Sequence, residues 1–296
     1  MLSVLVPAYN CNVTELIAEV HRQLVLSGAA FEIIVMDDGS EPEYVESNRP
    51  IINLSQTQLI ISEKNHGRIK TRLLLRDRAK FNWLLYLDAD TFPKSEHFII
   101  NYLNYISPET QVIFGGIAYE DTPPESVFML RWRYGRKHEE VKASIRNKTP
   151  YKLVISGNFL IKNKILSIFD MEIKSNQYGY DSYFGVLLKK NQVRVVHIDN
   201  EVYHRGIEES AVYLKKMEQA AKTLLSLYDQ DLMREHQNTL LNLFIFLKKT
   251  YLNRILSLFY QVFRNAMNRN LTGHNPSIWI LQLYRISYLC HIDLNR

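Results

Sequence analysis

The sequence has little cysteine and no long apolar run. Cys11 and Cys290 are its two cysteines in 296 residues, too few for a disulfide framework or a cysteine metal site. We therefore expect a reducing, cytoplasmic environment. No stretch reaches the roughly 18 apolar residues that a membrane-spanning helix needs. The N-terminal segment MLSVLVPAYN has no basic residues before its apolar run, and that run is shorter than the one in a signal peptide. No signal peptide is therefore expected.

Internal repeats and low-complexity segments are also missing. Hydrophobic residues make up 46% and charged residues 23% of the chain, which is ordinary for a globular protein. The formal charge is +5 and the pI about 9.0. This positive net charge favours a negatively charged partner, but it does not distinguish a nucleotide from a phospholipid surface or a nucleic acid.

Short apolar runs alternate with stretches of helical periodicity over the first 90 residues. LSVLVPAY, FEIIVMDDGS, QLIISEKNHG and WLLYLDAD have the composition of strands, and residues 13–27 and RIKTRLLLRDRAK that of helices. Such alternation predicts an α/β, Rossmann-like domain with a mostly parallel sheet flanked by helices. Ligands of these sheets bind beyond the carboxyl ends of the strands. We therefore expect the strand-end residues to converge on one cleft: Tyr9 and Asn10, Asp37 and Asp38, and Asp88 and Asp90.

Asp88 and Asp90 follow a buried run and are separated by Ala89 alone. Residues two apart in a strand face the same way, and paired carboxylates can hold a hard cation such as Mg²⁺. The alternative is that both acids are solvated turn residues. Their place at the end of a predicted strand favours the metal interpretation.

Several segments, taken in order, resemble the family 2 glycosyltransferases, which have the GT-A fold. They are VPAYN (6–10), VMDDGS (35–40), NHGRIKTR (65–72), LYLDADT (85–91), SGNFLI (156–161), YGYDSYFG (178–185) and NEVYHRG (200–206). The resemblance implies a glycosyltransferase domain over residues 1–216, with a C-terminal helical extension over residues 217–296. It also implies an inverting hexosyltransferase that uses a nucleotide-sugar, with UDP as the expected nucleotide. A glycan or lipid-linked acceptor, a role in bacterial surface polysaccharide assembly and no nucleic-acid partner are the corresponding expectations.

The resemblance also implies a set of donor-binding residues. They are Pro7, Ala8, Tyr9, Asp38, Asn65, Gly67, Arg68, Arg72 and Asp88. The Asp38 carboxylate can accept the ring N–H of uracil, although capping of the turn at Asp37–Gly39 is an alternative use of this acid. Arg68 and Arg72 share one helical face and are expected to reach the diphosphate, unless they are simply solvated helix charges.

The metal ligands implied by the resemblance are Asp88, Asp90 and His204. Asp90 is expected to bind Mn²⁺ or Mg²⁺ directly, and Asp88 to assist through ribose or water. His204 is the expected third ligand, with an ordinary core or surface histidine as the alternative. His197 competes with it, but the apolar neighbours of His197 indicate the interior of a strand.

Asp181 is the expected general base, which takes the proton of the acceptor hydroxyl and contributes roughly 10²–10⁴ in rate. The family commonly has Gly-x-Glu-Asp before Phe-Gly, and this chain is one residue shorter from Gly179 to Phe184. Alignment on Phe184 makes Asp181 the base, whereas alignment on Gly179 makes it the glutamate. We prefer the first because the reaction needs a base. Capping of the following helix is the alternative role.

The expected acceptor-side residues are Trp132, Tyr134, Gly157, Asn158 and Tyr180. Trp132 and Tyr134 can stack on a sugar or merely pack the domain, and the sequence leaves both open. Tyr180 stands where the family has its glutamate, so the acceptor contact of that glutamate is in question.

The tail is apolar at helical spacing over residues 239–269 and again over 275–289. One interpretation is a basic, aromatic membrane-surface helix beside a lipid-linked acceptor, on the inner face of the plasma membrane. The other, which we favour, is a helical hairpin packed on the catalytic domain or on another subunit of a homo-oligomer.

Two other function classes stay open. The shortened acid motif also suits a nucleotide- or sugar-binding protein that has lost catalysis on the same fold. A nucleotidyltransferase also uses paired acids and a metal, but it needs a glycine-rich phosphate loop after the first strand. The segment PAYNCNVTE supplies no such loop.

Overall fold

The structure is a computed structural model that describes residues 1–167 and 178–295. The strands are β1 Leu2–Ala8, β2 Phe31–Asp37, β3 Thr57–Ile61, β4 Trp83–Leu87, β5 Thr91–Pro93, β6 Val112–Phe114, β7 Ile117–Ala118, β8 Asn158–Lys162, β9 Val195–His197 and β10 Val202–His204. The helices are α1 Thr14–Ser27, α2 Pro42–Asn48, α3 Arg68–Arg78, α4 Phe98–Asn104, α5 Met129–His138, α6 Ala143–Arg146, α7 Asn163–Leu166, α8 Asp181–Lys190, α9 Ser210–Asp229, α10 Thr239–Lys249, α11 Asn253–Leu271 and α12 Ile278–Leu294. Two 3₁₀ turns cover Arg49–Asn53 and Ser126–Phe128.

The central sheet has seven strands in the order β3-β2-β1-β4-β8-β6-β9. β8 runs antiparallel to both of its neighbours, β4 and β6, and every other neighbouring pair is parallel. The predicted α/β fold with a mostly parallel sheet is therefore confirmed. The parallel order β2-β1-β4 places the carboxyl ends of these three strands side by side.

Both faces of the sheet are covered, because alternate residues of one strand point to opposite faces. Leu5 of β1 and Tyr86 of β4 belong to one buried cluster, which extends through helices α8 and α9 to α10 and α12. Val4 and Leu85, one residue earlier on each strand, belong to a second cluster with α1 and α4. Burial on two faces explains why these strands are continuous apolar runs.

A small second sheet in the order β5-β10-β7 lies beside the first. β10 pairs antiparallel with β5 in the register His204↔Thr91. Since Thr91 directly follows Asp90, this pairing brings a residue from far along the chain next to the acid motif.

The tail forms two helices where the sequence suggested one long stretch over residues 239–269. Asn238 caps α10 by accepting from the backbone N–H of Leu241 at 3.1 Å, and α11 begins only at Asn253. Phe244 of α10 and Leu281 and Leu289 of α12 are fully buried in the cluster that reaches the sheet. The expected packing of the tail on the catalytic domain is thus observed for α10 and α12. None of the described helices combines the length and apolarity needed to cross a bilayer.

Candidate active site

A cleft of about 730 Å³ opens at the carboxyl ends of β1, β2 and β4, within the usual size range of small-molecule sites. Among its lining residues are many that the sequence singled out: Pro7, Ala8, Tyr9, Asp38, Asn65, Gly67, Arg68, Asp88, Asp90, Gly157, Asp181 and His204. Of the strand-end polar residues predicted to converge, all but one line this cleft, and the exception is Asp37. What each residue does depends on its partners.

Asp88 is held by the two arginines at the start of α3. Arg68 Nη2 donates to Asp88 Oδ2 at 2.9 Å, and Arg72 Nη2 donates to Asp88 Oδ1. Both arginines also reach Ser156, through its hydroxyl and its carbonyl respectively, at 2.9 Å. The Asp88 charge raises the pKa of the Arg68 guanidinium, with smaller contributions from Asp181 and Asp90. Asp88 thus orients Arg68 in the cleft and holds Arg72 outside its lining.

Asp90 lies against His204, which the small sheet places there. His204 Nε2 is 3.4 Å from Asp90 Oδ2, and the Arg205 backbone N–H donates to the Asp90 carbonyl at 2.8 Å. Burial alone would raise the Asp90 pKa, but the hydrogen bond and charge of His204, aided by Arg68, hold it below its usual value. A Cβ atom at Gly206 would lie 2.1 Å from Asp90 Oδ2, so only glycine leaves room for this carboxylate.

The Asp90–His204 pair has donor atoms suited to a divalent cation. A carboxylate and an imidazole can both bind a divalent ion such as Mn²⁺ or Mg²⁺. Water and substrate phosphate usually complete the coordination shell of such an ion. His204 Nδ1 is buried and has no hydrogen-bond partner in the part of the chain that the structure describes. Across residues 1–167 and 178–295, no group of three His, Cys, Asp or Glu side chains is placed to hold a metal alone. The residues therefore fit a cation shared with a bound diphosphate.

Asp38 is nearly buried and ties the loop before α3 to β2. Its Oδ1 accepts from the His66 N–H at 2.9 Å and its Oδ2 from the Gly67 N–H at 2.8 Å. Each carboxylate oxygen keeps a second lone pair for a ligand. Asp37, in contrast, caps the turn by accepting from the Ser40 N–H at 2.9 Å, and it does not line the cleft.

Asp181 is the first residue of α8 and lines the same cleft. It is exposed, and its charge acts on both Arg68 and Arg72. The carboxylate is consequently accessible to a molecule in the cleft.

The model of the family described as "Glycosyl transferase family 2" matches residues 3–169, more than half of the chain. The chain belongs to glycosyl transferase family 2. Membership of this family accounts for the order of the motifs around the cleft. No curated protein matches the chain.

Several solved glycosyltransferases share the fold. Mannosyltransferase PcManGT from Pyrobaculum calidifontis, in complex with GDP-Man and Mn²⁺, has a TM-score of 0.52 at 12% identity over 76% of this chain and 64% of its own. S. aureus TarS 1–349 with UDP-GlcNAc gives 0.52 at 18% identity over 76% and 66%. The same TarS fragment with UDP gives 0.53 at 18% identity over 99% and 91%. The chain thus spans slightly less than two thirds of the first two structures, and at these identities the likeness shows the GT-A fold alone.

Some residues expected at the site lie outside the lining of this family 2 cleft. Arg72 stands behind Arg68 and reaches Asp88 from there. Asn158 is fully buried and binds the Tyr102 hydroxyl and the backbone of Gly116 and Asn200. Asn158 therefore links β8 to neighbouring segments through buried hydrogen bonds.

The three aromatic residues expected on the acceptor side are also outside the lining. The Trp132 indole N–H donates to the Glu120 carbonyl at 2.9 Å. The Tyr134 ring lies 5.8 Å from that of Tyr213, and Tyr180 packs on Tyr183 at 6.1 Å. These contacts match the packing alternative for Trp132 and Tyr134. The role of Tyr180 toward an acceptor stays a prediction.

A further set of polar residues in the cleft was not anticipated. With Asp181 they form what we call the helical side of the cleft: Arg131, Glu139, Tyr178, Asp181, Glu208 and Lys216. Arg131 Nη2 donates to Glu139 Oε2 at 3.0 Å, and Lys216 pairs with Glu208. These residues come from separate segments, so no local sequence pattern could have identified them. We call the residues at the strand ends the sheet side: Tyr9, Asp38, Arg68, Asp88, Asp90 and His204.

Proposed function

We propose that the protein transfers a hexose from a nucleotide-sugar, with UDP as the nucleotide, to a glycan or lipid-linked acceptor with inversion at the sugar C1. The observation that carries this proposal is the arrangement around Arg68. Its guanidinium interacts with Asp88, Asp181 and Asp90, so the acids assigned to donor, base and metal surround one cation in one cleft. Family membership supports the reaction class.

Arg68 has the chemistry to hold the departing diphosphate. Its side chain is partly exposed and Asp88 fixes its guanidinium, so a bound diphosphate meets an oriented donor rather than a mobile one. Arg72 is more buried and adds positive charge behind it. Asp90 and His204 would hold Mn²⁺ or Mg²⁺, which when bound neutralises negative charge on the leaving nucleoside diphosphate.

Asp181 would serve as the general base in this scheme. The acceptor hydroxyl attacks the sugar C1, the bond from C1 to the diphosphate oxygen breaks, and the Asp181 carboxylate takes the hydroxyl proton. Asp181 is exposed and lines the cleft, so its carboxylate can meet an acceptor hydroxyl there. A single carboxylate for the acceptor proton is consistent with direct displacement and inversion.

The donor and the setting are further parts of the proposal. TarS was solved with UDP-GlcNAc and PcManGT with GDP-Man, so members of the fold differ in their nucleotide. The Asp38 carboxylate at the β2 end favours a base with a ring N–H in reach, as in uracil. We place the reaction in surface polysaccharide assembly, on the cytoplasmic side of a membrane.

A donor screen tests the proposal. Thermal unfolding is recorded with UDP-, GDP- and TDP-sugars, with and without Mn²⁺, and hydrolysis or transfer of the stabilising donor is then followed. We expect UDP-sugars with Mn²⁺ to give the largest shift and Asp90→Asn to abolish the metal-dependent part. Asp121→Asn, a substitution at an acid outside the cleft paired with Arg136, is the matched control.

The same screen can overturn the proposal. Stabilisation by a nucleotide-sugar without any turnover, over a panel of glycan acceptors, would identify the binding-protein alternative. No stabilisation by any nucleotide-sugar would remove the donor assignment altogether.

A further inference from the structure

Helix α11 carries a row of apolar residues on the side that faces solvent. Five of them recur at helical spacing, and we call them the α11 stripe: Ile255, Leu258, Val262, Phe263 and Ala266. Ile255, Leu258 and Val262 are between 61% and 64% exposed and Phe263 46%. This spacing puts the stripe on one face of the helix.

The opposite face of α11 makes the contacts with the rest of the molecule. Its buried residues are Asn253, Ser257, Tyr260, Met267 and Leu271. The Tyr260 ring lies 5.5 Å from that of Tyr284 and 5.4 Å from that of Tyr288, both on α12. The stripe is therefore not needed to attach α11 to the protein, and a helix normally buries its most apolar face.

The charge of the tail differs sharply from that of the rest of the chain. Of 36 basic and 31 acidic residues, seven basic residues and one acidic residue lie in residues 239–296. The first 238 residues consequently carry 29 basic and 30 acidic residues, so the net positive charge of the protein resides in its tail. The one acid, Asp293, is buried and paired with Lys248 at 2.8 Å.

Basic residues accompany the stripe on α11 itself. Arg254 and Arg269 are exposed and lie beside the stripe, whereas Arg264, four residues after Tyr260, lies on the opposite face. Tyr251, just before the helix, is 70% exposed and has the Arg254 guanidinium 5.6 Å from its ring centre. Exposed aromatic and aliphatic side chains beside arginines, without an exposed acid, are the composition of a helix that lies in the headgroup region of a membrane.

We propose that α11 docks this protein on an anionic lipid surface, with the α11 stripe inserted among the acyl chains and the flanking arginines at the headgroups. At about 1.5 Å per residue the 19-residue helix offers roughly 28 Å of contact in the membrane plane. Anionic headgroups attract such juxtamembrane basic residues. The inference does not depend on the donor, the metal or the general base.

A second copy of the chain fits this face less well. In a two-fold symmetric contact the same patch meets itself, so Arg254 and Arg269 of both copies would approach each other. No exposed acid within residues 239–295 is available to offset their charges. An anionic surface satisfies the apolar stripe and the arginines together.

Vesicle partitioning tests the proposal on the full chain. The protein is sedimented with phosphatidylcholine vesicles and with vesicles containing about 30% phosphatidylglycerol, at low and high salt. We expect binding to the anionic vesicles that weakens with salt, and a loss of at least about tenfold in Leu258→Glu/Val262→Glu. The matched control is Val25→Glu/Leu26→Glu on α1, which replaces the same residue types at exposed positions.

The controls separate docking from folding and from self-association. Equal thermal unfolding of both glutamate variants shows that the fold survives, and an Arg254→Gln/Arg269→Gln variant should weaken anionic binding while leaving the apolar stripe intact. Failure of the wild type to sediment with anionic vesicles would overturn the proposal. So would equal losses of binding in the two glutamate variants, or a dimer in solution that Leu258→Glu/Val262→Glu converts to a monomer.

Discussion

The sheet side and the helical side of the cleft are built in different ways. The acids of the sheet side follow strand ends, and Asp88 binds both Arg68 and Arg72. On the helical side, Arg131 pairs with Glu139 and Lys216 with Glu208, whereas Asp181 is exposed and makes no ion pair within residues 1–167 and 178–295. The sheet side thus presents an arginine held by an acid, and the helical side presents an exposed acid. We therefore expect that mutations can separate donor binding from acceptor chemistry.

The largest expected effect tests the helical side. Asp181→Asn keeps the shape of the side chain and removes its capacity to take a proton, so transfer should fall by roughly 10²–10⁴. UDP affinity should stay unchanged, because the proposed function places the nucleotide on the sheet side. Steady-state rates at saturating donor and acceptor, with calorimetric UDP binding, measure both. Near-normal turnover would show that Asp181 only begins its helix, and Asp77→Asn at an exposed acid is the matched control.

The next effect tests how firmly the sheet side is held. Arg72 is 13% exposed and Arg68 43%, so Arg72→Met should leave Asp88 Oδ1 with a poorly solvated, unmet charge. We expect it to lower the free energy of unfolding by about 2 kcal/mol, and Arg68→Met by less than about 1 kcal/mol. Urea unfolding compares the two variants. Equal losses of unfolding free energy in the two variants would mean that the greater burial of Arg72 does not increase its contribution to stability.

A third prediction separates loss of the fold from loss of activity at low pH. His197 is buried beside Arg146, and burial lowers its pKa to about 4. The unfolded chain then binds this proton more readily, so stability is full above about pH 6.5 and falls as the pH drops toward 4. Between pH 7.5 and 5 the fall should be about 2 kcal/mol.

Urea midpoints at the two pH values measure this fall. His197→Gln should reduce it, whereas His97→Gln, at an exposed histidine, should leave it unchanged. If His197→Gln loses as much stability between the two pH values as the wild type, other groups cause the loss. A fall of activity at low pH would then have to come from residues on the two sides of the cleft.

The smallest effect concerns nucleotide choice on the sheet side. Asp38 lies at the end of β2, and binding should favour UDP over GDP and ADP. Asp38→Asn keeps one oxygen acceptor for the His66 and Gly67 amides and should weaken UDP binding by about tenfold, the value of one hydrogen bond to a charged group. Calorimetry with the three nucleotides checks this, and equal affinity of the wild type for all three would contradict it.

The sequence by itself was sufficient to predict most residues of the sheet side. Apolar runs alternating with helical stretches predicted the parallel sheet, and in such a sheet the strand ends must meet at one edge. Asp38, Asp88 and Asp90 could therefore be assigned to one cleft before any contact was known. The motifs that resemble the family then added Arg68, Asp181 and His204, all of which line that cleft.

Other features depend on contacts between residues far apart in the chain. His204 reaches Asp90 only because β10 pairs with β5 in one register, and a shift by one residue would turn it away. Arg131, Glu139, Glu208 and Lys216 meet through the packing of separate helices and loops. Asn158, expected at the acceptor, instead satisfies buried backbone groups.

Helix α11 shows the same division most clearly. Its sequence determines that Ile255, Leu258 and Val262 share one face, because their spacing matches the helical repeat. It does not determine which way that face points, since a helix can rotate about its axis without changing its own hydrogen bonds. The contacts of Tyr260 with α12 decide it, and they leave the apolar face in solvent.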